Sequence, residues 1–300
     1  MKVLVSGSHG LVGRALVEAL QQRGDDVVRL VRGTAAEGDV AWNPAAGTVD
    51  VEALAAARVD AVVHLAGEPL LGRWTSRKRE RIKNSRVNGT RAVAEAIAGL
   101  ERKPQVFVCA SAVGFYGNCG DRELTEQSTS GEGFLASVVR EWEAAADPAR
   151  DAEIRTVHMR AGVVLSPDGG AVQQLLLPFQ LGLGGPIGSG RQYLSWVSRR
   201  DLIRALLFVL ETPAASGAIN AVGPTPSTNR EFGKALGRVL HRPAVVPTPP
   251  FALKLALSSG LVTEMLLASQ RALPDRLIQL GFEFTDETVE AALRYELGKT

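Results

Sequence analysis

The chain predicts a doubly wound α/β fold, a parallel sheet covered by helices on both faces, with a smaller, mostly helical lobe on the C-terminal side. Three observations carry this. Apolar runs of strand length alternate with longer amphipathic stretches through the first half of the 300 residues. Aromatic residues make up only 5% of the chain while glycine reaches 31 residues, a composition that suits a glycine-punctuated α/β chain better than an all-β one. Beyond about residue 165 the strand–helix rhythm changes. Residues 1–165 with about 195–225 are therefore expected to form the sheet domain, and about 166–194 with 226–300 the smaller lobe.

The elements follow in order. Lys2 to Ser6 reads as a buried strand, Leu11 to Arg23 as an amphipathic helix stopped near Gly24, and Val27 to Val31 as the second strand. A loop holding Trp42, Asn43 and Pro44 leads to a weak helix near Val51 to Ala57, and Ala61 to Ala66 is the third apolar run. A long charged helix covers Ser76 to Leu100, and Gln105 to Ala110 is the next strand. Gly133 to Ala146 reads as helix and Ile154 to Met159 as strand. Pro178 to Gly190, dense in glycine, suits a loop wrapping a pocket. Asp201 to Leu210 is helical, Ala218 to Val222 adds a strand, and Asn229 to Leu240 and Pro250 to Ala272 are expected as helices of the lobe.

Composition narrows the partners. Thirty-four basic against 32 acidic side chains leave a net charge of +2, so neither nucleic acid nor a membrane is expected as partner. Two cysteines, Cys109 and Cys119, cannot build a disulfide framework, which points to a reducing compartment. The four histidines are scattered without metal-ligand spacing, so no metal site is expected. The chain opens on a strand, and its longest apolar stretch, Leu202 to Leu210, carries Arg204. These features lead us to expect a cytoplasmic protein.

Gly7-Ser8-His9-Gly10-Leu11-Val12-Gly13 lies between the first strand and the first helix. Glycines at this spacing permit a tight turn, let backbone approach a pyrophosphate, and let the helix pack on the sheet. The helix N-terminus adds unpaired N–H groups and the positive end of its dipole. This is the Rossmann-type arrangement for a dinucleotide. The second strand ends Val31-Arg32-Gly33 with no acid to hold ribose hydroxyls, and Asp25 and Asp26 precede the strand. Arg32 therefore selects NADP as the expected cofactor.

Taken together, Gly7/Gly10/Gly13, His64-Leu65-Ala66-Gly67, Val87-Asn88-Gly89-Thr90, Ser111 through Tyr116-Gly117, and Ser195-Trp196-Val197 with Asp201 resemble the extended short-chain dehydrogenase/reductases, the group that contains nucleotide-sugar epimerases. More narrowly, Trp42-Asn43-Pro44, Leu65 to Glu68, Ser85-Arg86, Trp142 to Ala145 and Leu181 to Gly190 are similar to an atypical epimerase-like subfamily, and the chain from about Pro247 resembles that subfamily's C-terminal extension. A histidine often follows the Trp-Ile/Val pair there; Ser198 stands in its place. The resemblance implies that Leu65 and Ala66, beside Gly67, line the adenosine side of the cofactor. It places Arg86 and Arg160 by the nicotinamide half or its phosphates, and Gln192 and Trp196 on the wall facing a small-molecule substrate. It also allows a homodimer formed through two helices.

The resemblance fails at one place. The ordinary reductase mechanism needs Tyr-x-x-x-Lys on the helix after the Ser-bearing strand, because that spacing sets both side chains on one helix face and lowers the phenol pKa. Here the two registers of that helix offer Leu135 with Val139, or Phe134 with Val138. Among the three tyrosines only Tyr295 has a lysine at that offset, Lys299, far from the expected helix, and Arg86 replaces the usual relay Asn. Ser111 remains in place. Two readings stay open. One is an NADP-dependent oxidoreductase or epimerase in which Ser111 polarises the substrate oxygen and Tyr116 donates a proton. The other is a catalytically inactive NADP(H)-binding sensor or partner-binding protein.

Overall fold

A computed structural model describes residues 1–299. At its centre is an eight-stranded sheet made of β1 (Lys2–Ser6), β2 (Asp26–Arg32), β3 (Val40–Asn43), β4 (Thr48–Val49), β5 (Ala61–His64), β6 (Val106–Ala112), β7 (Arg155–Ala161) and β8 (Gly217–Ala221). Their spatial order is β8-β7-β6-β5-β1-β2-β3-β4, and every pair is parallel except β3 with β4. The chain builds outward from β1 through β2 to β4, then returns to β1's other side with β5. The crevice at the carboxyl ends of β1 and β5 is thus the switch point where such sheets hold ligands. Parallel strands covered on both faces must be apolar throughout, as Ala61-Val62-Val63 of β5 are, all buried.

Two helical layers do the covering. On one face α1 (Leu11–Gln22) sets Leu16, Val17 and Leu20 against the sheet beside Leu202, Leu206 and Val209 of α7 (Arg199–Glu211). On the other, α2 (Val51–Ala57), α3 (Ser76–Ala98), α4 (Phe134–Ala144) and α5 (Asp147–Asp151) bury Leu54, Val93, Ile97, Trp142 and Ala149. Each fully buried Leu or Ile contributes about 1.5–3 kcal/mol. These faces are what hold the strand ends in register.

The smaller lobe has its own core. Phe179 of α6 (Gly170–Gln180) and Phe232 and Leu236 of α8 (Asn229–Leu240) pack against Leu293 of the helix Val289–Glu296. A capping box, in which Thr228 and Glu231 hydrogen-bond each other's backbone N–H, starts α8. A parallel pair, Val163–Leu165 with Trp196–Ser198, carries the chain between the two cores.

The sequence expectations depart from this in three places. Trp42-Asn43 is not loop but the end of β3, where Val40 and Trp42 alternate inward. The Asn-Pro turn that follows hid a strand only four residues long. Residues 170–180 are helical despite Pro178, because only the last turn holds the proline. Pro250 to Ala272 is broken into Pro250–Ala256, Ser259–Leu261, a π-helical turn at Val262–Leu266 and a two-residue strand, Arg271–Ala272. Ser258 caps the second of these pieces, its side chain accepting the Leu261 N–H. Among the described residues, no helix is long and apolar enough to cross a membrane.

Candidate cofactor and active site

The switch point is built by close backbone contact. Gly7 takes φ 67°, and a Cβ there would lie 2.9 Å from the Leu65 carbonyl carbon and the Ala66 nitrogen. A Cβ on Gly13 would collide with the Gly7 carbonyl. Only glycine fits either position, and the result is a turn pressed against the strap Leu65–Gly67. Gly10 is the N-cap of α1 and offers no side-chain hydrogen bond, so the first-turn N–H groups, from Leu11, Val12 and Gly13, face outward without a cap. That is the donor set a pyrophosphate requires.

Beneath the turn lies a pair absent from the sequence reading. Ser6 and His64 stand opposite each other in the β1–β5 register, with Ser6 Oγ 2.8 Å from His64 Nδ1. Ser6 Oγ also accepts the Leu65 N–H at 3.0 Å and the Ala66 N–H at 3.2 Å. Its one proton is therefore left for Nδ1, which puts the imidazole hydrogen on Nε2, a buried atom with no partner among the described residues. Burial pulls the His64 pKa down to about 4, so the ring is neutral at pH 7. The pair fixes the strap that meets Gly7.

Arg32 ends β2, exposed and without an ion pair among the described residues. Arg86 lies half-buried under Gly67, donating through Nη1 to the carbonyls of Glu68 at 3.0 Å and Ile82 at 3.1 Å. Burial lowers its pKa to about 10, which leaves it charged at neutral pH. Its other two nitrogens have no hydrogen-bond partner among the described residues.

The far half of the cleft is arranged differently. Ser111 donates to Glu143 Oε1 at 2.6 Å, and Arg160 grips the same carboxylate with Nε and Nη2, both at 2.8 Å. Arg160 Nη1 reaches the Tyr116 oxygen at 3.1 Å, and Tyr116 donates to Asn220 Oδ1 at 2.8 Å. Arg160 also stacks on Phe115, its guanidinium carbon 3.5 Å from the ring centre. Desolvation pushes the Glu143 carboxyl up, but hydrogen bonds from Arg160 and its charge outweigh that, and the pKa ends below its ordinary value. Burial raises the Tyr116 pKa against the opposing pull of Arg160.

Several expected residues land in unexpected roles. Tyr116 is 0% exposed, so its hydroxyl braces the interior instead of facing the cleft. Arg160 already has a partner for each of its three nitrogens and is no open phosphate clamp. Trp196 does not form the substrate wall: it is 1% exposed, donates Nε1–H to Thr225, and belongs to the lobe core. Gln192 ties two segments together, donating from Nε2 to Ile187 at 3.1 Å and Leu266 at 3.0 Å, and its side-chain Oε1 has no hydrogen-bond partner among the described residues. Leu135 and Val139 face the turn Val113–Tyr116, 3.7 and 4.0 Å from where a Gly114 Cβ would sit. That face of α4 is apolar. Glu264 of the lobe caps α4 by accepting the Leu135 N–H at 2.8 Å.

Residues 3–223 match the NAD dependent epimerase/dehydratase family, and residues 248–296 match a domain of unknown function, DUF1731. An epimerase family protein of Mycobacterium leprae is 40% identical over 295 residues, covering 98% of this chain and 94% of that one. The human epimerase family protein SDR39U1 is 37% identical over 298 residues, covering 98% and 99%. A crystal structure of human SDR39U1 (isoform2) with NADPH superposes with a TM-score of 0.90 at 34% identity, covering 100% of both chains. With the glycine turn, the HLAG strap and the C-terminal extension all in place, the chain belongs to the NAD dependent epimerase/dehydratase family, in the branch of the SDR39U1-like epimerase family proteins.

Proposed function

We propose that the chain binds NADP(H) across the carboxyl ends of β1, β2 and β5 and acts as an epimerase-type oxidoreductase on a small molecule that enters between the sheet and the lobe. The observation that carries this is the Gly7 turn locked against Leu65–Ala66 with an uncapped α1 N-terminus beside it. Arg32, without an ion pair among the described residues at the end of β2, favours the 2′-phosphate form, and the NADPH in the human relative's crystal structure agrees with that preference.

A bound nicotinamide would supply or accept the hydride. The chain's own residues decide what oxygen it meets. Ser111 has one proton and gives it to Glu143, so its lone pairs accept from an incoming hydroxyl. A substrate alcohol therefore fits Ser111 better than a carbonyl needing a donor. Arg160 keeps Glu143 ionised and thereby keeps Ser111 turned that way. Leu135 and Val139 exclude water from the position where a phenol would otherwise work.

The same apolar face favours a second reading, an NADP(H)-binding sensor without turnover. Titration of NADPH and NADH, followed by nicotinamide fluorescence, tests the shared part first. Arg32→Ala should weaken NADPH at least tenfold, the effect of losing about 1.5–3 kcal/mol of charge-assisted bonding, and leave NADH unchanged. Equal binding of both cofactors in both proteins would sink the NADP assignment. A panel of alcohols, aldehydes and ketones then separates the readings: turnover abolished by Ser111→Ala supports the oxidoreductase, and tight NADPH binding with no turnover supports the sensor.

A further inference from the structure

The net charge of +2 conceals a local surplus on the small lobe. A cleft of about 560 Å³ opens at the C-terminal end of α8, lined by Lys234, Arg238, His241, Arg242 and Arg294 with Val245 at its edge. The cations converge from three segments: α8 itself, the turn after it, and the helix Val289–Glu296. Glu290 holds Arg238 at 2.6 Å and Arg294 at 3.0 Å. Among the described residues, Lys234 and Arg242 form no ion pair. Arg242 donates only to neutral carbonyls, those of Gln180 and His241.

The turn that aims these groups is built, not frayed. His241 caps α8 in the left-handed region at φ 53°, and Arg242 N–H returns to the Gly237 carbonyl at 2.9 Å. Gly237 is required there, because a Cβ would lie 2.8 Å from both Ala244 Cβ and the Arg242 carbonyl oxygen. A helix C-terminus carries about half a negative charge, enough to offset one cation in part. Four cations against one shared carboxylate leave a surplus of three positive charges, so the helix end does not account for the cluster.

We propose that this cleft is an anion site for a phosphate group, separate from the dinucleotide crevice. Arg and Lys donors arranged around a concave floor suit phosphate oxygens, which accept several charge-assisted bonds at once. Val245, 75% exposed at the rim, offers an apolar contact to whatever carries the phosphate. The carrier is either a soluble phosphate ester or a lipid headgroup.

The test is calorimetric titration of the full chain with inorganic pyrophosphate, NADPH being present in excess to occupy the glycine turn. Wild type is compared with Lys234→Ala/Arg242→Ala, which alters only exposed side chains, and an unchanged Tm checks that the variant is folded. Pyrophosphate binding should weaken at least tenfold in the variant while NADPH affinity stays the same. The difference between the two proteins reads the cleft even if pyrophosphate also enters the glycine turn. Co-sedimentation with phosphatidylcholine vesicles, with and without phosphatidylglycerol, identifies the carrier. Retention only on the anionic vesicles, lost in the variant, assigns a headgroup. Pyrophosphate binding without such retention assigns a soluble ester. No difference between wild type and variant in either assay overturns the proposal.

Discussion

The two halves of the crevice are made of similar residues put to opposite use. On the β1–β5 side, polar groups are left open toward a ligand: the α1 N-terminus has no cap and Arg32 has no counter-ion among the described residues. On the β6–β7 side, Ser111, Glu143, Arg160, Tyr116 and Asn220 satisfy one another in a single chain of hydrogen bonds. Open donors cost little in water and are ready for a phosphate. Closed ones rigidify a wall and leave few groups for proton transfer. The contrast sets a side open to a ligand against a wall closed on itself, beside which the apolar Leu135 and Val139 pack near Gly114.

The closed half should break most sharply. Arg160 and Glu143 are 6% and 13% exposed, so removing one leaves the other charged and desolvated. Arg160→Met should destabilise the protein by about 3–5 kcal/mol at pH 7, read by urea unfolding. In the wild type the Glu143 pKa lies below its unfolded value, so its contribution is complete above the unfolded carboxylate pKa and is lost as pH falls through the folded one. In the variant burial is still opposed by the Ser111 hydrogen bond, but without Arg160 the pKa rises, so the penalty should shrink as pH falls toward 5. A variant as stable as wild type would show that Glu143 is not held as an ion in this wall.

The open half has its own buried weakness, of slightly smaller size. His64 is neutral when folded down to about pH 4, while the unfolded chain takes up a proton below about pH 6.5. The unfolded state then binds more protons, so stability falls with pH across that window, by up to about 3 kcal/mol. His64→Asn retains an acceptor toward Ser6 but cannot titrate. The difference in unfolding free energy between wild type and variant should therefore change between pH 7 and pH 4, and a constant difference would mean His64 is solvated when folded.

The open half was legible in the sequence and the closed half was not, for a physical reason. Gly7 and Gly13 announce themselves because close backbone approach forbids any Cβ, a constraint written into residue type at fixed spacing, and a Cβ on Gly10 between them would sit tight against the Gly7 carbonyl oxygen at 3.2 Å. Leu65 and Ala66 are legible through the family resemblance and lie immediately after β5. Glu143 gives no such signal: on an amphipathic helix it reads as a solvated carboxylate until Arg160, on a strand 17 residues later, is placed beside it. His64 reads as one polar residue in an apolar run until the β1–β5 register sets Ser6 opposite. Trp196 was misplaced because its sequence neighbours do not tell that Gly223, packed against the indole, makes room for it in the core.

The smallest effect separates the remaining roles of Tyr116. As a brace, its hydroxyl supplies Asn220 with a donor and Arg160 with an acceptor. Tyr116→Phe keeps the ring edge-to-face with Phe115, whose centre is 5.3 Å away, and removes only those two bonds. The expected loss is about 1–2 kcal/mol of stability, within the range for stranding a buried polar partner. NADPH affinity should be unchanged, because the hydroxyl faces the interior. If a substrate is found, turnover should survive at a fixed fraction across pH. A proton donor would instead lose nearly all turnover, by about 100-fold or more, with little change in stability. That outcome would require the ring to swing out of the core, and would turn the closed half of the crevice into one that opens on binding.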